Sequence, residues 1–418
     1  MSGLMSLTRM PTSGPRRLLV VGFGLLGIMS VVRLITGYDD LTSSGTIGAA
    51  LRLTVPILLA GLAGLWAERV GILNIGIEGM MILGTWFGAF GAWKFGPWIG
   101  LLLAVLGGML GGAIHAVATI RFNIDQVISG VVMNLLALYG MRYLSELAFD
   151  GVPQGGISQS PPQRGAIPRI DVPFLSGGWS TPDILGWFEE RGWFLIGDLA
   201  GITRGLTTNL SLASLLAVLL VPASAWVLWR TTFGLRLRSS GESPESAESL
   251  GVDVIRIRYL GLLISGGFAG LGGGFLAIVS SSYYRQGQTA GRGFIGLATM
   301  IFGNWRPSGV LGGAAVFGYS EGLKLVAGGS VTGLFLFIAI AAGLVVIASV
   351  VARRSRRGVT ALITTGVAML AYLTVDEVPE SLTQSLPYVV TLVVLATASQ
   401  RLRPPARAGV PYRPGGSH

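Results

Sequence analysis

The most constraining feature of this sequence is a series of apolar runs, each about as long as a bilayer is thick. A helix that crosses the hydrocarbon core needs about 20 mostly apolar residues, whereas the strands of a membrane barrel would be alternating segments of about 10 residues. The sequence therefore predicts an all-α polytopic membrane protein with about 10–12 transmembrane helices, including broken or re-entrant segments. The expected spans are residues 18–36, 47–66, 77–93, 98–119, 127–148, 210–230, 259–280, 293–304, 309–328, 331–351, 359–375 and 387–400.

Composition also indicates that lipid surrounds most of the chain. Only 12% of the residues are charged, against about 25% in soluble proteins. The net charge of +10 would by itself suggest nucleic acid, but the arginines form short clusters between apolar runs, as membrane orientation requires. With no Cys and only two His residues, we expect no metal site and no nucleic-acid partner.

The basic clusters predict the orientation. If the N-terminus is cytoplasmic, alternation of the spans places the clusters within 231–257 and 352–358 in the cytoplasm, together with a basic tail at 401–418. All of them then lie on one side, as the positive-inside rule requires. The Gly-, Pro- and Ser-rich segment 149–208 becomes an extracytoplasmic loop, whose tryptophans we expect at the headgroup level.

A glycine-rich stretch between the second and third spans is the first candidate site. Residues 68–81 carry Asn74 and Glu78 among three glycines, a pattern typical of a broken or re-entrant helix. Such helices often form the substrate site of transporters, and carboxylates within a membrane are costly and usually functional. The alternative is a cytoplasmic turn with Glu78 at a helix N-terminus. Asn134, in the middle of the fifth span, either bonds between helices or lines the substrate pathway.

The second candidate site is the cytoplasmic loop 236–256. Ser243 followed by Pro244 predicts the start of a short helix, and Gly251 predicts its end. Glu245 lies in its first turn. This helix is either an amphipathic connector or a docking helix for a cytoplasmic partner.

Several stretches resemble the permease family of bacterial ATP-binding-cassette importers for nucleosides and simple sugars, a family related to branched-chain amino-acid and ribose permeases. They are "ERVGILNIGIEGMMILGTWFGAF", "NIDQVISGVVMNLLALY", "RSSGESPESAESLGVDVIRIRY", "GRGFIGLATMIFGNWRPSGVLGGAAVFG" and "LPYVVTLVVLA". The resemblance implies an importer permease fold over residues 1–400, in the bacterial cytoplasmic membrane with both termini in the cytoplasm. The two helices expected within 331–375 look like an addition to shorter members of the family.

The resemblance also implies a role for the cytoplasmic loop and a set of partners. The loop is similar to the coupling helix that docks on the ATPase, although Ser-Pro-Glu-Ser-Ala stands where the family has Asn-Pro-Glu-Ala-Ala. The implied partners are a cytoplasmic ATPase that binds the ATP, a second permease of the same or a paralogous sequence, and an extracytoplasmic solute-binding protein. The implied coupling residues are Gly241, Glu242, Ser243, Pro244, Glu245, Ser246, Ala247, Glu248 and Gly251.

Two other functions compete with an importer permease. An ion-coupled secondary transporter of a small polar solute would use Glu78 or His115 as its coupling group, but it would not need a docking helix. A membrane enzyme is disfavoured, because the sequence has no cluster of catalytic residue types. The chain contains no Gly-x-x-x-x-Gly-Lys-[Ser/Thr] motif, so we expect no enzymatic activity, no cofactor of its own and ATP hydrolysis on a separate chain.

Overall fold

A computed structural model describes residues 15–325, 328–351, 355–375 and 402–413. The described residues leave out the span expected at 387–400, the family-like stretch "LPYVVTLVVLA" that overlaps it, and positions 401 and 414–418 of the expected tail.

The expected spans within the described residues are all helical. They correspond to α1 (Pro15–Thr36), α2 (Ser44–Arg69), α3 (Ile77–Phe95), α4 (Pro97–Ala116), α5 (Gln126–Phe149), α8 (Leu212–Arg230), α11 (Val254–Phe275), α12 (Arg292–Phe302), α13 (Pro307–Leu323), α14 (Gly328–Val351) and α15 (Ser355–Thr374). Between them lie α6 (Ile184–Glu190), α7 (Ile196–Thr207), α9 (Thr232–Glu242) and α10 (Pro244–Ser249). The prediction of an all-α architecture is confirmed.

Length and composition show which described helices can cross a bilayer. Six are long and apolar enough, namely Asp39–Arg69, Pro97–Arg121, Gln126–Phe149, Leu212–Arg230, Val254–Ser280 and Thr332–Val351. Shorter apolar helices cover Gly22–Thr36, Arg292–Phe302 and Gly358–Thr374. The chain is therefore a multi-pass membrane protein.

The chain forms two compact units. The larger consists of the described parts of 50–170, 210–320 and 387–418, and the smaller consists of those of 1–49, 171–209 and 321–386. In the larger unit, a two-residue antiparallel pairing joins β1 (Arg169–Ile170) to β2 (Leu210–Ser211), with Arg169 opposite Ser211. Asp125 begins α5 as its N-cap and accepts hydrogen bonds from two backbone N–H groups of the first turn.

Glycine contacts between α3, α4 and α11 form the centre of the larger unit. A Cβ added to Gly108 would overlap the carbonyl oxygen of Gly266, and one added to Gly84 would overlap Gly270. These backbones approach so closely because neither side carries a side chain, which is how small residues promote helix association in lipid. In the sequence, Gly108/Gly112 and Gly266/Gly270/Gly274 repeat at four-residue spacing, and this spacing therefore marks real helix interfaces.

In the smaller unit, a buried carboxylate joins α7 to α1 and to the turn after it. Asp198 accepts hydrogen bonds from Ser30 Oγ at 2.6 Å and from Thr42 Oγ1 at 2.5 Å. Its Oδ1 also lies 3.0 Å from Arg33 Nε. The charge of Asp198 is thereby paired and hydrogen-bonded, as a buried carboxylate requires.

The segment expected as an extracytoplasmic loop, 149–208, contains α6 and α7 and is more ordered than a loop. The face of α7 that packs inward is made of small residues, and large apolar side chains point outward. Besides the buried carboxylate Asp198, the inward set is Gly197, Ala200, Gly201 and Gly205, and the exposed set is Ile196, Leu199 and Leu206. This inverted pattern suits a helix that faces an apolar environment rather than water.

Candidate functional site

The connector between α2 and α3 is an irregular, buried stretch of backbone. After α2 ends at Arg69, Gly71 adopts a φ of +95°, a conformation that favours glycine, and residues 70–76 run without regular helix until α3 begins at Ile77. The prediction of a broken helix at this position is confirmed. Because Asn74 precedes α3, it does not share a helical face with Glu78.

Two ends of the connector lie at different depths. Near Gly71 the chain touches Gly241 at the end of α9. Three residues later, Asn74 Nδ2 donates to Ser265 Oγ at 3.1 Å, near the middle of the span Val254–Ser280. Residues 71–74 therefore lead from the end of α9 towards the middle of the span Val254–Ser280, which is the geometry of a re-entrant segment.

Side chains satisfy the backbone groups that the connector leaves free. Gln126 Oε1 accepts from Leu73 N at 2.6 Å, and His115 Nε2 donates to Leu73 O at 3.2 Å. Asn134 bonds twice, since its Oδ1 accepts from Gly79 N at 2.7 Å and its Nδ2 donates to Ile75 O at 3.2 Å. Irregular backbone at membrane depth is tolerated only with such partners. Asn134 thus bonds between segments, one of the two roles that its sequence position allowed.

Glu78 binds the N-terminus of another helix. The side chain is 8% exposed, and its two carboxylate oxygens accept from Gly291 N at 2.9 Å and Gly293 N at 2.7 Å. Gly291 is the N-cap of α12, and Glu78 itself lies in the first turn of α3. The carboxylate therefore lies at two helix N-termini, both of which stabilise negative charge.

Asn74 is the least satisfied member of this cluster. Its side chain is fully buried, and its Oδ1 has no hydrogen-bond partner among the described residues. Asn74, Glu78 and Asn134 are thus brought together around the start of α3. Their roles in substrate passage stay a prediction. Sequence reasoning missed Gln126 and Ser265, which carry no local signal because their partners are distant in the chain.

The expected coupling loop folds as two short helices. Pro244 begins α10, Ser243 occupies its N-cap position, and Gly251 with a φ of +82° follows its end. These bounds were predicted correctly. Ser243 Oγ, however, bonds to Ser246 Oγ at 2.7 Å rather than to a backbone N–H, so the capping chemistry differs from the usual one.

One face of α10 is buried and the other is acidic and exposed. Pro244 and Ala247 are buried, whereas Glu245 and Glu248 point outward. Leu250, directly after the helix, is 84% exposed. The outward surface of this segment thus carries two carboxylates and one large apolar side chain. Sequence reasoning did not single out Leu250.

The loop is attached to the connector through α9. Ser240 Oγ donates to Val70 O at 3.2 Å. Gly241 lies against the backbone of Arg69 so closely that a Cβ would overlap the carbonyl oxygen. Arg69 Nη1 in turn lies 3.6 Å from Glu242 Oε1. A displacement of α9 and α10 would therefore act directly on the end of α2 and the start of the connector.

The described part of the C-terminal tail lies along the same two helices. Arg407 N donates to Gly241 O at 2.9 Å, and Ala406 N donates to Glu242 Oε2 at 3.1 Å. The Arg407 guanidinium is 3.2 Å from Glu245 Oε1. The basic tail that the sequence predicted thus contacts the acidic side of the coupling loop.

Tyr412 inserts its ring beneath α10. It forms an apolar cluster with Ala247 and Val254, and its ring centre is 5.2 Å from the guanidinium carbon of Arg258. Arg258 is 3% exposed, and its Nε and Nη2 have no hydrogen-bond partner among the described residues. Desolvation raises the pKa of Tyr412 to about 12, so its ring is neutral at physiological pH and faces the cation as a cation–π partner.

Among the described residues, no group of three or more His, Cys, Asp or Glu side chains could hold a metal ion.

Comparison with known proteins finds transport permeases. The family described as "Branched-chain amino acid transport system / permease component" matches residues 46–340. The guanosine ABC transporter permease protein NupQ of Bacillus subtilis is 35% identical over 69% of this chain and 83% of its own length. The nucleoside ABC transporter permease protein NupC of Lactococcus lactis is 30% identical over 86% of this chain and 93% of its own.

Further matches include a permease named for glucose and, in two bacteria, a second permease besides the one already described. A candidate glucose ABC transporter permease of Haloferax volcanii, TsgC13, is 34% identical over 68% of this chain and 78% of its own length. Bacillus subtilis and Lactococcus lactis each have a second matching permease, NupP and NupB, at 28% and 25% identity. No solved structure gives a significant match to this chain.

Proposed function

Because the chain belongs to the family of branched-chain amino acid transport system permease components, we propose that it is the membrane-spanning permease subunit of an ATP-binding-cassette importer for nucleosides. The observation that carries this proposal is the 30–35% identity to permeases named for guanosine and nucleosides, over most of both chains. Simple sugars are the second candidate solutes, because a permease named for glucose is 34% identical.

The exposed face of α10 is the docking surface for a cytoplasmic ATPase, which supplies the ATP hydrolysis. Supporting this role, α10 presents Glu245, Glu248 and the exposed Leu250 outward while its buried face rests on the protein. Its neighbour α9 contacts the end of α2 through Gly241. ATP-driven movement at α10 would thus reach the connector at 70–76 by direct contact.

The transport pathway includes the region of Asn74, Glu78 and Asn134. These residues hold a re-entrant segment, the kind of element that surrounds substrate sites in transporters. The Asn74 Oδ1 without a hydrogen-bond partner among the described residues is an acceptor that a hydroxyl- or amide-bearing solute could use. Both chemical groups occur in nucleosides, and hydroxyls occur in sugars.

A second permease and an extracytoplasmic binding protein complete the importer, in the cytoplasmic membrane of a bacterium. The second permease is a paralogue, since two bacteria with a similar permease each have a second, less similar one. Both termini are cytoplasmic, which places the arginine clusters of the sequence on one side of the membrane and 149–208 on the other.

The proposal is tested by recovery of the ATPase with the tagged chain. The protein is isolated from its own membranes in mild detergent, and its companions are identified by mass spectrometry. We expect an ATP-binding-cassette ATPase whose recovery falls at least about tenfold in Leu250→Arg, because a charge replaces the exposed apolar contact. Glu190→Arg, a charge reversal at an exposed position of α6, is the matched control and leaves recovery unchanged.

Uptake into liposomes separates the importer from an ion-coupled transporter. The purified complex should accumulate guanosine only when ATP is supplied on the ATPase side. Accumulation under an ion gradient by this chain alone, without ATP, would contradict the proposal. Competition by unlabelled nucleosides and by glucose then ranks the two solute classes.

A further inference from the structure

The coupling helix is too short to hold itself in place. With six residues, α10 is far below the roughly 12–15 residues at which an isolated helix becomes even marginally stable. Its position must therefore come from contacts with neighbouring segments. One set of contacts is the burial of Pro244 and Ala247, and the other is the C-terminal tail.

The tail holds α9 and α10 by directional bonds. Two of its backbone N–H groups, those of Ala406 and Arg407, donate to Glu242 and Gly241. The ion pair between Arg407 and Glu245 is partly exposed, and such pairs contribute little to stability. The backbone bonds are more informative, because they fix the register of the tail along the two helices.

Tyr412 provides the apolar anchor of the same segment. Its ring faces Arg258, a buried cation whose Nε and Nη2 have no hydrogen-bond partner among the described residues, and it packs with Ala247 of α10. Arg258 also borders the connector, since a Cβ built on Gly71 would lie 2.9 Å from its Nη2. One aromatic ring therefore touches the coupling helix and the cation that borders the connector.

We infer that the C-terminal tail is a fixed strap for the coupling helix, with Tyr412 as a positioning residue that transmits ATPase movement from α10 towards the connector. This inference rests on the proposed role of α10 as the docking helix. The strap stays in place during transport. We expect this role to depend on the ring of Tyr412 rather than on its hydroxyl, because the ring packs with Ala247 and faces the guanidinium of Arg258.

The first experiment measures coupling in the full complex. The tagged chain with its co-purifying ATPase is reconstituted in liposomes, and guanosine uptake and ATP hydrolysis are measured together. In Tyr412→Ala and in a deletion of residues 405–418, we expect the uptake per ATP hydrolysed to fall at least about tenfold. Tyr412→Phe should retain wild-type coupling, which a role of the hydroxyl would not allow.

Arg413→Ala is the matched control, since Arg413 is an exposed arginine next to Tyr412; its coupling should stay within twofold of wild type. Size-exclusion profiles establish that each complex is assembled. Wild-type coupling in both Tyr412→Ala and the deletion would overturn the strap.

The second experiment asks whether the tail stays bound. Because the chain has no cysteine, the double variant Ala406→Cys/Glu242→Cys carries the only two thiols of this chain that a short bifunctional cross-linker can join. We expect efficient cross-linking in native membranes and unchanged uptake afterwards. Absence of the cross-link would overturn the fixed strap. Loss of uptake after cross-linking would also overturn it, because the tail would then have to dissociate from α10 during transport.

Hydrogen exchange separates this inference from the proposed function. Deleting residues 405–418 should speed the exchange of backbone amides in α10 at least about tenfold, whether or not the complex transports guanosine. If the wild-type complex shows no ATP-driven uptake, the proposed function is wrong. If the cross-link and the faster amide exchange are nevertheless found, the tail still holds α10 in place. Unchanged exchange would refute the strap even in an active importer.

Discussion

Replacement of Glu78 tests the interaction at the centre of the candidate site. Its carboxylate accepts two backbone N–H groups at the start of α12 from within a nearly closed environment. Glu78→Ala removes both acceptors and leaves the N–H groups of Gly291 and Gly293 without partners. Glu78→Gln keeps one acceptor oxygen but loses the charge and places an amide donor opposite a second N–H.

The expected magnitude follows from these two bonds. A hydrogen bond to a charged group contributes about 1.5–3 kcal/mol, so the loss of both should lower the free energy of unfolding by about 3–6 kcal/mol. The Gln variant keeps one bond, to a neutral oxygen, and should lose more than half of that but less than the Ala variant. For a domain of 150–250 residues, 1 kcal/mol corresponds to roughly 2–4 °C in Tm, which gives a fall of roughly 6–24 °C for Glu78→Ala.

The assay is thermal unfolding of the purified protein in detergent, followed by the loss of the monodisperse peak in size-exclusion chromatography. Glu146→Ala is the matched control, because Glu146 is an exposed carboxylate on α5. Its Tm should stay within about 2 °C of wild type, since exposed substitutions usually change stability by less than about 0.5 kcal/mol.

A Tm of Glu78→Ala within 2 °C of the Glu146→Ala control would refute the capping role. A different pattern, in which Glu78→Gln unfolds like wild type but loses guanosine uptake, would show that the carboxylate acts on the solute and not mainly on α12. Loss of stability in the order Ala greater than Gln, with uptake following stability, is the outcome that the geometry predicts.

Three further predictions concern local contacts elsewhere. Gly108→Ala should lower the yield of monodisperse protein sharply, because its Cβ would overlap backbone of α11, whereas Gly140→Ala, whose Cβ meets nothing within 4 Å, should be neutral or stabilise α5 by up to about 1 kcal/mol. Asp198→Ala should lower the free energy of unfolding by about 3 kcal/mol, measured by thermal unfolding, because it leaves Arg33 largely buried without its nearest carboxylate. Asn134→Ala should cost about 1–3 kcal/mol in the same assay, since it frees one N–H and one C=O around the connector. An unchanged Tm in either of the last two variants would contradict the buried bonds described for it.

The sequence alone determined the features that depend on each segment by itself. The bilayer requires a long apolar run for every helix that crosses it, so the spans could be located one at a time, and each expected span within the described residues is helical. The bounds of α10 and the cap at Asp125 were predictable for the same reason. Their signals act over a few residues, through the fixed φ of proline and the reach of a short carboxylate.

Only the tertiary structure decided which distant groups meet. The sequence marked Glu78 as a carboxylate that needs partners, but it could not show that they belong to α12, more than 200 residues later. It showed that the tail is basic, but it could not show that the ring of Tyr412 covers Arg258 beneath α10. It suggested a loop at 149–208, whereas this segment contains α6 and α7, and Asp198 bonds α7 to Ser30 of α1. Many N–H groups, rings and carboxylates along the chain have compatible chemistry, and the packing of the helices selects among them.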